Sequence, residues 1–158
     1  MTPPAAQFAA RQTILRFLAA MAAGNLVWEI GHVPLYTLWV TGSPGEIAYA
    51  ADHHVSDRAV QDGDVMIGGI CLLLSLALLG RKAWPHARFG AVAGATILFA
   101  LGYTVFSEWL NTEVRESWTY REAMPRLPIL GTGLTPVLQW IVVPVLAFRW
   151  SLPRTVKQ

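Results

Sequence analysis

The sequence predicts an all-α integral membrane protein: an antiparallel bundle of four transmembrane helices with both termini in the cytoplasm. Three observations lead there. First, 54% of the 158 residues are hydrophobic and only 14% are charged, whereas soluble domains carry roughly 25% charged residues. Second, the charges are bunched. Residues 17–40 hold only Glu29 and His32 as titratable groups, and residues 65–80, 89–107 and 129–148 hold no charge. About 20 such residues in a helix cross a hydrocarbon core of about 30 Å. Third, the bases are segregated. Arg11, Arg16, Arg81, Lys82, Arg88, Arg149, Arg154 and Lys157 fall on one side of a four-pass topology, with Arg58, Arg115, Arg121 and Arg126 on the other. The positive-inside rule assigns the richer side to the cytoplasm. All ten acids lie within residues 29–64 or 108–122, away from that side. A net charge of +2 dispersed over helix ends offers no basic face for nucleic acid.

The first helix is expected over residues 14–40. Arg11 and Arg16 followed by "FLAAMAA" resemble a secretory signal with cleavage near Ala23. The apolar stretch before Asn25 is short for that role, and hydrophobicity continues to Trp39, so a retained helix is the reading. The outer loop, residues 41–61, opens with the turn signal "GSPGE" and then spaces Ile47, Ala50, Ala51, Val55 and Ala59 as a short interfacial helix would. His53 and His54 fall in it and read as solvated. The second helix is expected over 60–80, its short apolar run extended by residues 59–64. "RKAWPHAR" is a basic hairpin with Trp84 as a headgroup anchor and His86 without a chemical role. The third helix covers 89–111. Residues 112–126 mix Trp118 and Tyr120 with acids and bases, as a structured cap would. The fourth helix covers 130–148. Pro34, Pro136 and Pro144 are expected inside helices, bending them or freeing a carbonyl. Cys71 is the only cysteine, which excludes an internal disulfide or a paired-thiol motif.

Asn25, Glu29, His32 and Tyr36 follow spacings of four, three and four. At about 100° per residue they lie within roughly 40° of one another on one helical face. The spacing recurs as Thr104, Glu108, Asn111 and Arg115 on the third helix, and as Asp64, Gly68, Cys71 and Ser75 on the second. Thr132, Thr135 and Gln139 share a face of the fourth. Such faces do not meet lipid, so they should converge inside the bundle. Glu29 lies about 18 Å along the helix from Phe17, near mid-membrane, with His32 one turn further out and Asp64 and Glu108 at the outer boundary. The expectation is a cavity open to the outside, with a Glu–His pair at its floor. Asn25, Thr104, Thr135 and Gln139 are explained by interhelical hydrogen bonding, worth about 0.6 kcal/mol on average. Glu29 is not: a mid-membrane carboxylate costs about 2.5–3.5 kcal/mol, and Gln would hold helices more cheaply. Arg115 is expected to pair with Glu108 or a loop acid.

Three chemistries fit this cluster. Glu29 and His32 have the i,i+3 spacing with which bundles present carboxylate and imidazole to a metal. With Asp64 and Glu108 they would form an oxygen-and-nitrogen site for zinc, iron or manganese, although only one such pair is present. An intramembrane carboxylate–imidazole pair also suits proton transfer, as in a proton-coupled transport component. Lipid headgroup binding under an aromatic cap is the third. No phosphate loop, nucleophile elbow or paired-cysteine motif supports a hydrolase or nucleotide enzyme, so the reading leans away from catalysis.

The stretch "YTVFSEWLNTEVRESWTYREAMPRLPILGTGLTPVLQW", together with "WEIGHVPLYTLW", resembles a set of small four-helix bacterial inner-membrane proteins across roughly half of the chain. That resemblance implies an inner-membrane location and topology and carries no catalytic residue across. The expected function is a periplasm-facing site for a metal ion or small ligand formed by Glu29, His32, Asp64 and Glu108, with Asn111 and Arg115 at its rim. The rival expectation is an accessory or assembly subunit of a larger membrane complex. The expected partners are the bilayer and either further copies of the chain or that complex.

Overall fold

The computed structural model describes residues 3–36, 58–80, 83–116 and 118–152. Among the described residues four α-helices carry the fold: α1, Pro3–His32; α2, Arg58–Leu79; α3, Phe89–Trp109; and α4, Leu134–Ser151. A 3-10 turn, Val33–Leu35, follows α1, and a π turn, Leu110–Val114, continues α3. Helix packing closes on itself: α1 lies against α2 and α4, and α3 against the same two. The first outer loop, with its expected interfacial helix and His53 and His54, lies outside the described residues.

Three segments, Pro4–His32, Phe89–Val114 and Leu134–Ser151, are long and apolar enough to cross a membrane. This supports a membrane protein. α2 itself spans Arg58–Leu79, and within the described residues its apolar stretch is Gly63–Leu79, about 26 Å at the helical rise. Of the four expected passes, three are met among the described residues by helices long and apolar enough to cross a membrane.

Helix ends move for identifiable reasons. α1 starts eleven residues before the expected position 14, since Pro3 and Pro4 suit a first turn and Ala5, Ala6, Ala9 and Ala10 are strong helix formers. It stops at His32 rather than running to residue 40. Pro34 has no N–H and disfavours helical geometry in the residue before it, so it ends α1 instead of bending it. α4 starts at Leu134 because Leu127 and Thr132 close a turn through Leu127 N–H to Thr132 O, 2.9 Å, with Gly131 at φ 67°. Pro136 thus falls in the first turn, where its missing N–H would have had no partner. Pro144 is interior and leaves the carbonyl of Trp140 without its helical donor.

Small and polar side chains line part of the interior, and many large apolar ones lie on the exterior. On α3 the buried row is Val92, Thr96, Ala100, Thr104 and Glu108, one i,i+4 line. Val27, Met66, Leu73, Leu98, Phe106 and Leu146 face outward, with Val27 72% exposed. This inverts the soluble pattern and suits a lipid surround. Thr13, Ser75, Thr96 and Thr104 each donate to the carbonyl four residues earlier, so their hydroxyls are satisfied within their own helices. The apolar core fills the end that carries the α2–α3 hairpin: Phe17 and Phe148 meet at 4.4 Å and Phe89 and Phe148 at 5.6 Å, above Met21, Leu72 and Val143. Trp84 stacks on Phe89 and is buried, so it is a core residue rather than a headgroup anchor. α1 and α4 approach closely at Gly24, where a Cβ would lie 2.7 Å from Val143 Cγ1.

Candidate functional site

The polar residues gather at the end opposite that core. α1 presents Asn25, Glu29 and His32 on one face because the α-helical period holds up to His32. Glu29 Oε2 lies 2.9 Å from His32 Nε2. From α4, Gln139 points its amide nitrogen into the same space, 2.9 Å from Glu29 Oε1, 3.2 Å from Asn25 Oδ1 and 3.2 Å from Asp64 Oδ2 of α2. Three helices are thereby tied to one atom. An amide nitrogen has two hydrogens, so three oxygens around it cannot all receive one. Gln139 is 2% exposed and Asn25 3%; the Glu29 side chain is 12% exposed. One turn further in from Asp64, Gly68 admits the Met21 methyl group and the Trp140 ring, which seal the cluster from the core.

A second, aromatic layer lies over the first. Glu108 of α3, 8% exposed, accepts a hydrogen bond from the Tyr120 hydroxyl. Residues 118–133, which overlap the cap expected over residues 112–126, are strapped across the end of α1. Tyr36 and Tyr120 form an antiparallel bridge, and Arg121 N–H donates to Leu35 O at 2.9 Å. The Tyr36 ring stands 5.4 Å from His32, 5.5 Å from Tyr120 and 6.4 Å from Trp118. Arg126 holds its guanidinium 5.1 Å from the centre of the Tyr120 ring, a cation–π contact. Gly133 lets the cap settle, since a Cβ there would come within 3.0 Å of Tyr120. Burial pushes the Tyr36 phenol above its ordinary range, and the nearby charge of Glu108 pushes it further, followed by Tyr120, Glu29 and Asp64. Tyr120 is raised by burial first and then by its bond to Glu108. Both phenols are therefore held as neutral donors.

Two buried polar atoms in the cluster, Asn25 Nδ2 and His32 Nδ1, have no partner among the described residues. Buried donors and acceptors are almost always paired, and an unpaired one costs about 1–3 kcal/mol. The site thus offers an unused donor and an unused ring nitrogen beside the Glu29 carboxylate.

The sequence-derived residues divide. Glu29, His32, Asp64 and Glu108 come to the same end of the helix ring. Among the described residues, however, no three His, Cys, Asp or Glu side chains gather as a metal-holding group: Glu29 and Asp64 turn oxygens to Gln139, and Glu108 turns to Tyr120. Asn111 donates back to Ser107 O at 2.8 Å, and Arg115 is exposed. Neither joins the cluster, and Glu108 pairs with Tyr120 in place of the expected Arg115. The cause is the π turn. Asn111 and Thr112 direct their side chains to the Ser107 and Glu108 carbonyls, and Arg115 N–H reaches back five residues to Leu110 O. The wider turn breaks the 100° period on which that face was drawn. Sequence reasoning placed Gln139 on the correct face but only as helix-holding, and it missed Tyr120, whose loop position bears no periodic relation to Glu108. Compared with family models, curated proteins and solved structures, the chain matches none.

Proposed function

We propose that the chain is a bacterial inner-membrane protein whose four helices form an antiparallel bundle with cytoplasmic termini, and that its polar cluster is a periplasm-facing binding site for a small hydrogen-bonding ligand. The observation that carries this reading is the convergence of Asn25, Glu29 and Asp64 on Gln139 Nε2, beside Asn25 Nδ2 and His32 Nδ1, which have no partner among the described residues. A ligand with one acceptor and one donor satisfies both atoms, and Glu29 and His32 fix its orientation. The division of bases, eight toward one side and four toward the other, supports the orientation. The inward position of Glu29 supports a site over a surface used for subunit assembly. The donor arrangement favours a hydrogen-bonded organic molecule over a metal, because the carboxylates are directed at Gln139 and Tyr120. The apolar seal of Met21 and Trp140 beneath the cluster favours binding over a proton path through the membrane.

The test is to purify the chain without chelators and analyse its metal content and its solvent-extractable small molecules. An organic compound should accompany the native chain and be absent from Glu29→Gln, whose unfolding temperature stays within a few degrees of the native value. Stoichiometric zinc, iron or manganese, lost in Glu29→Gln, would replace this reading with the metal one.

A further inference from the structure

Among the described residues the most exposed large apolar side chain is Ile129, at 94%, and its neighbour Leu130 is also exposed. Both sit on the turn "LPILG", residues 127–131, which leads into α4. The turn is fixed by its backbone. Leu127 N–H donates to Thr132 O and Gly131 N–H to Leu127 O, each at 2.9 Å, and Leu134 N–H donates to Pro125 O at 2.7 Å. Gly131 supplies the left-handed φ of 67° that closes it. Pro125 and Pro128 bring no backbone N–H at all. Much of the segment's donor capacity is thus spent within the chain or absent, which is what a non-helical segment beside hydrocarbon requires.

The length of α4 points the same way. It is the shortest of the three membrane-length segments. Its uncharged helical part, residues 134–148, is about 22 Å long at the helical rise, against about 30 Å for a hydrocarbon core. At one end Arg149 stops the uncharged run. At the polar-cluster end the run continues past the helix to residue 127, so the turn carries it on.

From these features we infer that residues 127–131 insert into the headgroup–acyl boundary of the leaflet at the polar-cluster end, with Ile129 and Leu130 reaching the acyl chains. A lipid leaflet fits this tip better than a protein partner, because the tip prolongs the uncharged run of a helix that already crosses the bilayer. The cap is then fastened on two sides, to α1 through Arg121 and Leu35 and to the leaflet through the turn. The inference rests on α4 spanning the membrane and is independent of what the polar cluster binds.

The test is the collision accessibility of a nitroxide attached to single cysteines, in the full chain reconstituted into dioleoyl phosphatidylcholine vesicles. Oxygen concentrates among acyl chains, and a nickel chelate stays in water. In a Cys71→Ser background, labels at Ile129→Cys and Leu130→Cys should collide mainly with oxygen. A label at Glu122→Cys, exposed in the same cap, should collide mainly with the chelate, so that the ratio of the two rates differs several-fold between the sites. Leu146→Cys, on the exposed face of α4, is the membrane reference and should favour oxygen. If one turn variant does not fold, the other carries the measurement. Chelate-favoured labels on the turn, with Leu146→Cys still favouring oxygen, would overturn the inference alone. A turn label that is immobilised and shielded from both colliders marks a protein contact and overturns it too. Chelate access at Leu146→Cys would remove the span itself, and the inference with it.

Discussion

Gln139 holds the polar interior together, because its one nitrogen serves oxygens from α1 and α2. Replacing it with leucine removes the one donor that Asn25 Oδ1, Glu29 Oε1 and Asp64 Oδ2 share. Gln139→Leu should therefore lower stability by about 1–3 kcal/mol, read as a fall in unfolding temperature in detergent. Thr135→Val, which loses only a contact to the Met124 sulfur, should change it little. Tyr120 makes a pH-dependent contribution. Its phenol is raised above the ordinary value of 10.0 by burial and by Glu108. Below about pH 10 both folded and unfolded phenols are neutral and the contribution is fully present; above it the unfolded phenol ionises first and stability falls. A melt series from about pH 8 to pH 11 should show this loss, and Tyr120→Phe should make it shallower while lowering stability at neutral pH. Asn25, Glu29 and His32 were legible in the sequence, since one regular helix relates them. Tyr120 was not, because only the tertiary strap of Tyr36 and Leu35 against the cap brings it over Glu108.

Among the elements, the seam between α1 and α4 depends on Gly24, and its Cα packs directly on Val143. Gly24→Ala should force the helices apart and cost about 1–3 kcal/mol. Adding Val143→Ala removes the obstructing methyl groups, so the double variant should be more stable than the two single effects sum to. A simple sum in the double-mutant cycle would mean that the seam does not close there. Elements were legible where hydrophobic runs are bounded by clear signals: α2 ends at Leu79, one residue before the expected end, and α3 starts at Phe89, as expected. They were less legible where proline acts by position. Pro34 ends a helix, Pro136 opens one and Pro144 sits inside one, and composition alone does not distinguish these roles. The π turn was invisible, because it arises when Asn111 and Thr112 take up carbonyls that a regular helix would leave to backbone donors.

For the whole molecule, the polar cluster and the basic hairpin occupy opposite ends of the helix ring, so orientation decides which compartment each one meets. Single cysteines at Glu122, in the cap, and at Ala83, in the hairpin, both exposed, test this in a Cys71→Ser background. In intact cells the cap cysteine should react with an impermeant maleimide and the hairpin cysteine should react only after lysis. The reverse labelling would turn the site toward the cytoplasm. The membrane character was legible from composition because few charges interrupt the apolar runs.

The two hydrogens of the Gln139 amide and the three oxygens around it form an oversubscribed set. Any two of the three bonds exclude the third, so this amide can be satisfied in three ways rather than one. Such degeneracy makes the interior responsive: a guest that donates to one of the oxygens removes the competition, selects a single arrangement and stiffens α1, α2 and α4 together. Binding would then be felt as a loss of internal choice shared by three helices, without any of them having to move.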